Sequence, residues 1–426
     1  MDSGLPQDYT GTLQFSSLAR QGLLAVIISL DPKYEELSSE ALTLYESAHP
    51  VIVRSEGITE LPGDISLTFE ARKANRPPIL NLLLFFNTSV TNELQAGLNS
   101  PTFSVDGSSL IIRGRVFSSN CILFEGIQLP ALKEQERVHC RISNVRINAN
   151  ALGVGTAQHP TPIVAVIALK TQDAGLDGPV LFQRSLIVAL IQRGLAFKVS
   201  TSPDNSDNST ILISQSAGIN EALARNPTTA SASTTFYVTF SEQHAGAFKN
   251  RVQESGSGIA RGTRLKLVLN NIPQGILIFV TTRNVPSSSD SHLRATLVPA
   301  AIGEINPFGS DTTPLSGALV DGRSIQQLIV TNGTATAVWE WVKEEDHFSN
   351  LDVVFGIIVA AEPGKASLGT ATVNGSFAPT ATVTTAADPP IPIPRFADTS
   401  TATNVFCVVP FLPGPQTGQP RPSDMK

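Results

Sequence analysis

From Asp64 to Phe377 the chain repeats one pattern: a short run of β-branched, aliphatic or aromatic residues, closed by Gly, Pro, Asn, Asp or Ser. Such punctuated runs read as strands and turns. DISLTFE at 64–70 puts Ile65, Leu67 and Phe69 on one side and Ser66 and Thr68 on the other. A strand alternates faces residue by residue, so this segment has one dry and one wet side. ILNLLLFFN at 79–87 is apolar nearly throughout, as expected of a strand buried on both faces. In 137–148 Val138, Cys140 and Ile142 alternate with His139, Arg141 and Ser143.

The runs fall into two sets. Those from Pro50 to Asn148 have the strand density of a small β-sandwich. After the Gly/Pro-rich stretch Gly153–Pro162 a second set extends from Ile163–Lys170 to Thr370–Phe377, with TTFYVTF at 234–240, RLKLVLN at 264–270 and GILIFVT at 275–281 among its clearest members. Two segments depart from the pattern. Residues 32–48 (PKYEELSSEALTLYESA) predict a helix, with Pro32 and acids in the first turn and a stripe of Leu37, Leu42 and Leu44. From Pro379 onward proline dominates, including PPIPIP at 389–394. Proline removes ladder donors, which predicts a linker and tail there. The expectation is an all-β protein of tandem β-sandwich domains, Ig-like or jelly-roll-like, with a short N-terminal helix and a Pro-rich C-terminal tail. Its expected parts are a helical segment at 1–48, a first sandwich at 49–152, a second sandwich region at 153–385 forming one large or two small domains, and the tail at 386–426.

Composition narrows the function. Only 15% of the 426 residues are charged and the formal net charge is −6. A nucleic-acid binder needs a basic stripe, and this balance argues against one. The apolar run GLLAVIISL at 22–30 has nine residues, against the ~20 that cross a bilayer. It reads as a buried strand or as the core of an export signal behind Arg20, and no transmembrane span is expected.

The sequence offers few groups for chemistry. The six histidines, His49, His139, His159, His244, His292 and His347, form no HxH or HExxH pattern, so no metal site is assigned. Glu344-Glu345-Asp346-His347 is a run that would suit a β-sandwich hydrolase or a metal, and equally a solvated turn between strands. Gly256-Ser257-Gly258 lacks the spacing of a nucleophile elbow, and Gly256–Gly262 mimics a dinucleotide loop only loosely. Asp204-Asn-Ser-Asp-Asn208 supplies hard oxygen ligands for calcium without the EF-hand glycine and glutamate. N-x-[ST] sequons occur at Asn87, Asn208, Asn332 and Asn374. No catalytic residue, cofactor or metal is expected.

Two pairs remain. Cys121 and Cys140 are the obvious disulfide partners in an exported protein and small buried residues otherwise; Cys407 is left over. Trp339 and Trp341 share one face of VWEWV, with Glu340 on the other. They would form either a glycan-stacking platform or part of a sandwich core.

Three stretches carry a resemblance: RSEGITELPGDI at 54–65, CRISNVRINA at 140–149 and IPRFADTS at 393–400. In that order they resemble a group of uncharacterised exported β-rich proteins of soil acidobacteria, a similarity that extends over Gly262–Val280 and Thr331–Pro379. The group has no assigned activity, and its members usually carry an export leader and continue past the last stretch. The resemblance implies a location outside the cytoplasm, at the cell surface. The expected function is therefore a non-enzymatic extracellular protein with a structural or adhesive role and a surface glycan or protein as partner. A carbohydrate-binding module, a β-sandwich hydrolase and a capsid-like jelly roll are the alternatives.

Overall fold

A computed structural model describes residues 42–72, 79–94, 100–154, 160–172, 180, 182–201, 211–214, 235–254, 262–285, 293–299, 317–320, 323–343, 351–362, 364–381, 384–386, 394–399 and 402–410. They are nearly all β, with a 3₁₀ turn at Asn150–Leu152 and a one-turn helix at Arg251–Glu254 among the described residues. The chain divides into two compact units. Unit 1 comprises Met1–Gly194, Glu254–Ala260 and Thr380–Ala397; unit 2 comprises Leu195–Gln253, Arg261–Pro379 and Asp398–Lys426.

Unit 1 is a sandwich of two sheets. Sheet 1 has the order β1-β3-β9-β5-β6, from Leu42–Ala48, Ile65–Ala71, Arg137–Ser143, Thr102–Val105 and Ile111–Arg113. Sheet 2 has the order β2-β11-β10-β4-β8-β7, from Val51–Arg54, Phe182–Gln192, Thr161–Thr171, Leu80–Phe86, Cys121–Ile127 and Arg115–Ser118. The inward residues of both sheets form one core: Ile65, Leu67, Phe69 and Ile142 from sheet 1 with Leu82, Leu84, Phe124 and Ile167 from sheet 2. Strand β4 is buried except for the half-buried Phe85, as its apolar run predicts, and has apolar neighbours on its other face in Cys121, Leu123 and Ala168. The expected strand over 109–117 is split between β6 and β7 at Gly114, where a Cβ would lie 2.7 Å from the Phe124 ring.

Three expectations are corrected here. Leu42–Ala48, the end of the expected helix, is strand β1, antiparallel to β3. The reason is period: Leu42 and Leu44 alternate into the core while Tyr45 and Ser47 face out. Residues 32–41, and the run at 22–30, lie outside the described residues. The first domain does not end at 152. Strands β10 and β11 belong to sheet 2, because β4 needs a second neighbour and β10 supplies it opposite β8. The Pro-rich end is not wholly a tail. Residues 395–397 pack in unit 1, and Thr403–Val409 is strand β23, which buries Val405, Phe406 and Val408.

Unit 2 repeats the two-sheet plan. Sheet 3 runs β12-β14-β21-β16-β19-β18, from Leu195–Ser200, Thr235–Glu242, Asp352–Ala361, Ile276–Thr281, Arg323–Gln327 and Ala318–Val320. Sheet 4 runs β13-β23-β22-β15-β20-β17, from Ile211–Ser214, Thr403–Val409, Gly369–Ala378, Arg264–Asn270, Ala335–Trp341 and Ala295–Val298. Aromatic rings join the sheets: Phe240 of β14 lies 6.4 Å from Trp339 of β20, and Trp339 stacks on Phe355 of β21 at 4.0 Å. Such contacts add to the large area each ring buries.

Candidate functional site

The tryptophan pair is not a platform. Trp339 and Trp341 are 0% and 1% exposed. Trp339 donates its indole N–H to the Thr281 carbonyl at 2.9 Å, and Trp341 packs on Phe248 at 5.5 Å. Glu340 between them is buried too, against Arg264 at 3.1 Å and Arg251 at 2.8 Å. A carboxylate beside an indole therefore does not mark a wet strand here, because two arginines neutralise it.

The cysteine pair is not brought together either. Cys121 lies on β8 of sheet 2 in the small cluster with Leu83, Leu123 and Ala168, whereas Cys140 lies on β9 of sheet 1 in the main core. Both are free thiols, pushed up to about 12, by burial in each case and for Cys140 also by Asp106. Buried thiols of this kind are small apolar residues.

Residues 204–208, 256–261 and 344–347 lie outside the described residues. Among the sequons, Asn87 is committed to its own sheet through Pro162 and Val164, and Asn332 is exposed in a hairpin turn with φ of 52°. No group of three His, Cys, Asp or Glu able to hold a metal occurs among the described residues.

Residues 54–65, 140–149 and 395–397 meet in unit 1. Gly57 bridges Phe396, Glu60 bridges Ile147, and the Ile58 N–H donates to the Arg395 carbonyl at 2.8 Å. Around them lie Arg54, Arg146, Arg395, Glu56, Glu60 and Glu254, all buried, three cations against three anions. Arg54 reaches Glu60 and Glu254 at 2.7 Å each, and its guanidinium lies 4.8 Å from the Phe396 ring. Arg146 donates to the carbonyls of Thr59, at 3.1 Å, and Glu254. Glu56 accepts from the Gly194 N–H at 2.9 Å. Burial opposes the charge of Arg54, but Glu254 and Glu60 outweigh it and hold the guanidinium above its ordinary basicity. Burial pushes Arg146 down to about 10, with the carboxylates of Glu254 and Glu60 opposing and Arg54 adding to the fall; it pushes Arg395 down to about 9. These groups are sealed from solvent, so no substrate reaches them. They tie the chain segments of unit 1 together.

Among the described residues, one set of accessible polar side chains sits on the outer side of sheet 1. Strand register aligns its outward residues in rows across the sheet: Tyr45, Thr68 and His139; Ser47, Ser66, Arg141, Ser104 and Ile111; Thr43, Glu70 and Arg137. Directly opposed side chains lie close enough to act together. Thr68 Oγ1 and His139 Nδ1 share a hydrogen bond of 2.9 Å. Arg137 pairs with Glu70 at 2.6 Å, and Arg141 pairs with Asp64 through Nε at 2.7 Å and through Nη2. Tyr45 is 50% exposed, with the Arg137 guanidinium 5.6 Å from its ring centre. A cleft of about 480 Å³ opens on this face between His49, Asp64, Ser66, Thr68, Asp106, His139 and Arg141.

The alternation at 64–70 and at 137–143 sets Ser66 and Thr68, and separately His139 and Arg141, opposite the apolar side of each strand. What the sequence did not yield was their adjacency, nor Tyr45, which lay inside the expected helix.

Comparison with known proteins gives no matching family model and no matching curated protein. Solved structures with some likeness include the C-terminal domain of the Streptococcus agalactiae AgI/II polypeptide BspA, at 9% identity and TM-score 0.30, covering 87% of this chain and 100% of that one. The C-terminal domain of the Streptococcus pyogenes antigen I/II-family protein AspA has 7% identity and TM-score 0.30, covering 86% and 100%. The CupB6 tip adhesin of Pseudomonas aeruginosa has 10% identity and TM-score 0.19, covering 86% and 99%.

Proposed function

We propose that this chain is a non-enzymatic protein of the cell surface or extracellular space, with a structural or adhesive role, and that the outer side of sheet 1 is its recognition face. The observation that carries this reading is the row of hydrogen-bonding side chains fixed on paired strands, above a sandwich core that holds them rigid. Groups built on rigid elements bind with little ordering cost. The face is open, so a ligand lying on it stays in contact with water. That suits attachment, whereas bond-making chemistry gains from excluding solvent. Location outside the cytoplasm is supported by the resemblance of 54–65, 140–149 and 393–400 to exported proteins.

The test is adhesion under shear. Microspheres coated with the whole chain are flowed over surfaces bearing cell-wall polysaccharide or extracellular protein, beside spheres coated with Tyr45→Ala/Arg141→Ala protein. Retention of the first and release of the second is expected. Retention no better than albumin-coated spheres, or equal retention of the variant, would refute the reading.

A further inference from the structure

Resting on that reading, we infer that the outer side of sheet 1 takes a neutral oligosaccharide laid across its strands, with Tyr45 as stacking ring and Thr68, His139, Ser66 and Arg141 as hydrogen-bonding partners. The row Tyr45, Thr68, His139 crosses three adjacent strands. At the ordinary strand spacing its ends lie about 10 Å apart, the reach of two linked sugar rings. One end offers an aromatic ring held by Arg137 and half-open to solvent. A pyranose presents a C–H face that packs on such a ring, as aromatic surfaces with a polar rim do for amphipathic partners. The other end offers His139, whose Nδ1 is engaged by Thr68 while Nε2 has no partner among the described residues. Beside it Ser66 brings a hydroxyl that both donates and accepts, and the Asp64–Arg141 pair presents acceptors and donors side by side. Adjacent sugar hydroxyls need that mixture.

Charge selects among partners. Arg137 and Arg141 are each neutralised by a carboxylate within the face, so an acidic sugar or anionic peptide would have to displace Glu70 or Asp64. A divalent cation would need a group of three ligands, which the described residues lack. An apolar helix or strand would find Tyr45, Ile111 and, at the cleft, Val51, set apart by serine, threonine and charged side chains.

The experiment is saturation-transfer NMR and calorimetry on the full chain with maltotriose, cellotriose and mannotriose, beside 3′-sialyllactose and trigalacturonate. At least one neutral trisaccharide binds and the acidic ones do not. Tyr45→Ala weakens binding about tenfold, the scale of one aromatic stacking contact. His139→Ala also weakens it, and Tyr45→Phe restores it. Intact tryptophan fluorescence and thiol protection show that each variant is folded. Three results overturn the inference: no neutral saccharide binds, binding is unchanged in Tyr45→Ala and His139→Ala, or an acidic saccharide binds best. If coated spheres still hold to protein surfaces and no sugar competes, the ligand class is wrong while the adhesive reading survives.

Discussion

Glu254→Gln is expected to unfasten unit 1. Arg54 holds Glu60 and Glu254 at 2.7 Å each, with no side chain of the three more than 1% exposed. The substitution keeps the shape and one hydrogen-bond acceptor but removes a charge. Arg54 and Arg146 then share fewer carboxylates in a site that water cannot enter. Removing one partner of a buried pair costs about 3–5 kcal/mol. Both tryptophans belong to unit 2, so fluorescence does not follow unit 1. Cys121 and Cys140 do, because both thiols are buried in its clusters. The assay is therefore thiol labelling of the native protein, resolved by peptide mass. At 1.4 kcal/mol per tenfold, labelling of both thiols should accelerate by about two to three and a half decades. The exposed pair Arg115–Glu125 supplies the control: Glu125→Gln should change the rate by less than about fivefold, as surface pairs contribute about 0–1 kcal/mol. A Glu254→Gln rate within about fivefold of the parent would refute the view that this network holds unit 1 together.

Trp339→Ala should destabilise unit 2 by about 3–5 kcal/mol, followed by Trp341 fluorescence in urea, and leave saccharide binding unchanged. Gly375→Ala places a Cβ 2.1 Å from the Phe197 ring and should cost unit 2 about 1–3 kcal/mol in the same assay. The two thiols of unit 1 stay protonated up to about 12 when folded but ionise from the ordinary value of 9.0 when unfolded. At each thiol the folded state thus binds more protons between those values, a slope of at most ~1.4 kcal/mol lost per pH unit from about 9 to about 12, opposed in the same window by Arg395 and Arg146, whose folded values lie below their ordinary one. Cys140→Ala should flatten that slope in denaturation by circular dichroism, and an unchanged slope would rule the thiol out.

What was legible in the sequence was local. Period-2 alternation marks the core and wet sides of 64–70 and 137–143, and the all-apolar run at 79–87 marks a strand covered twice, because each signal depends only on neighbouring residues. What was not legible depends on distant pairings. Arg54 and Glu254 are 200 residues apart, so no spacing rule joins them. The same limit hid β10 beside β4, which moved the domain boundary, and Thr403–Val409, where nearby prolines masked an apolar strand. The outer side of sheet 1 shows the difference most directly. Trp339 and Trp341 share a strand face and suit either a stacking platform or a core, and arginines from β15 and the Arg251 turn neutralise the glutamate between them and let the strand sink into the core. Tyr45 had no such prominence, since its importance comes entirely from register: pairing β1 with β3 and β3 with β9 sets a lone exposed ring in line with a histidine 94 positions later. In a sandwich the binding surface is assembled from alternate residues of strands remote in sequence, so register, more than residue type, decides which aromatic a ligand can meet.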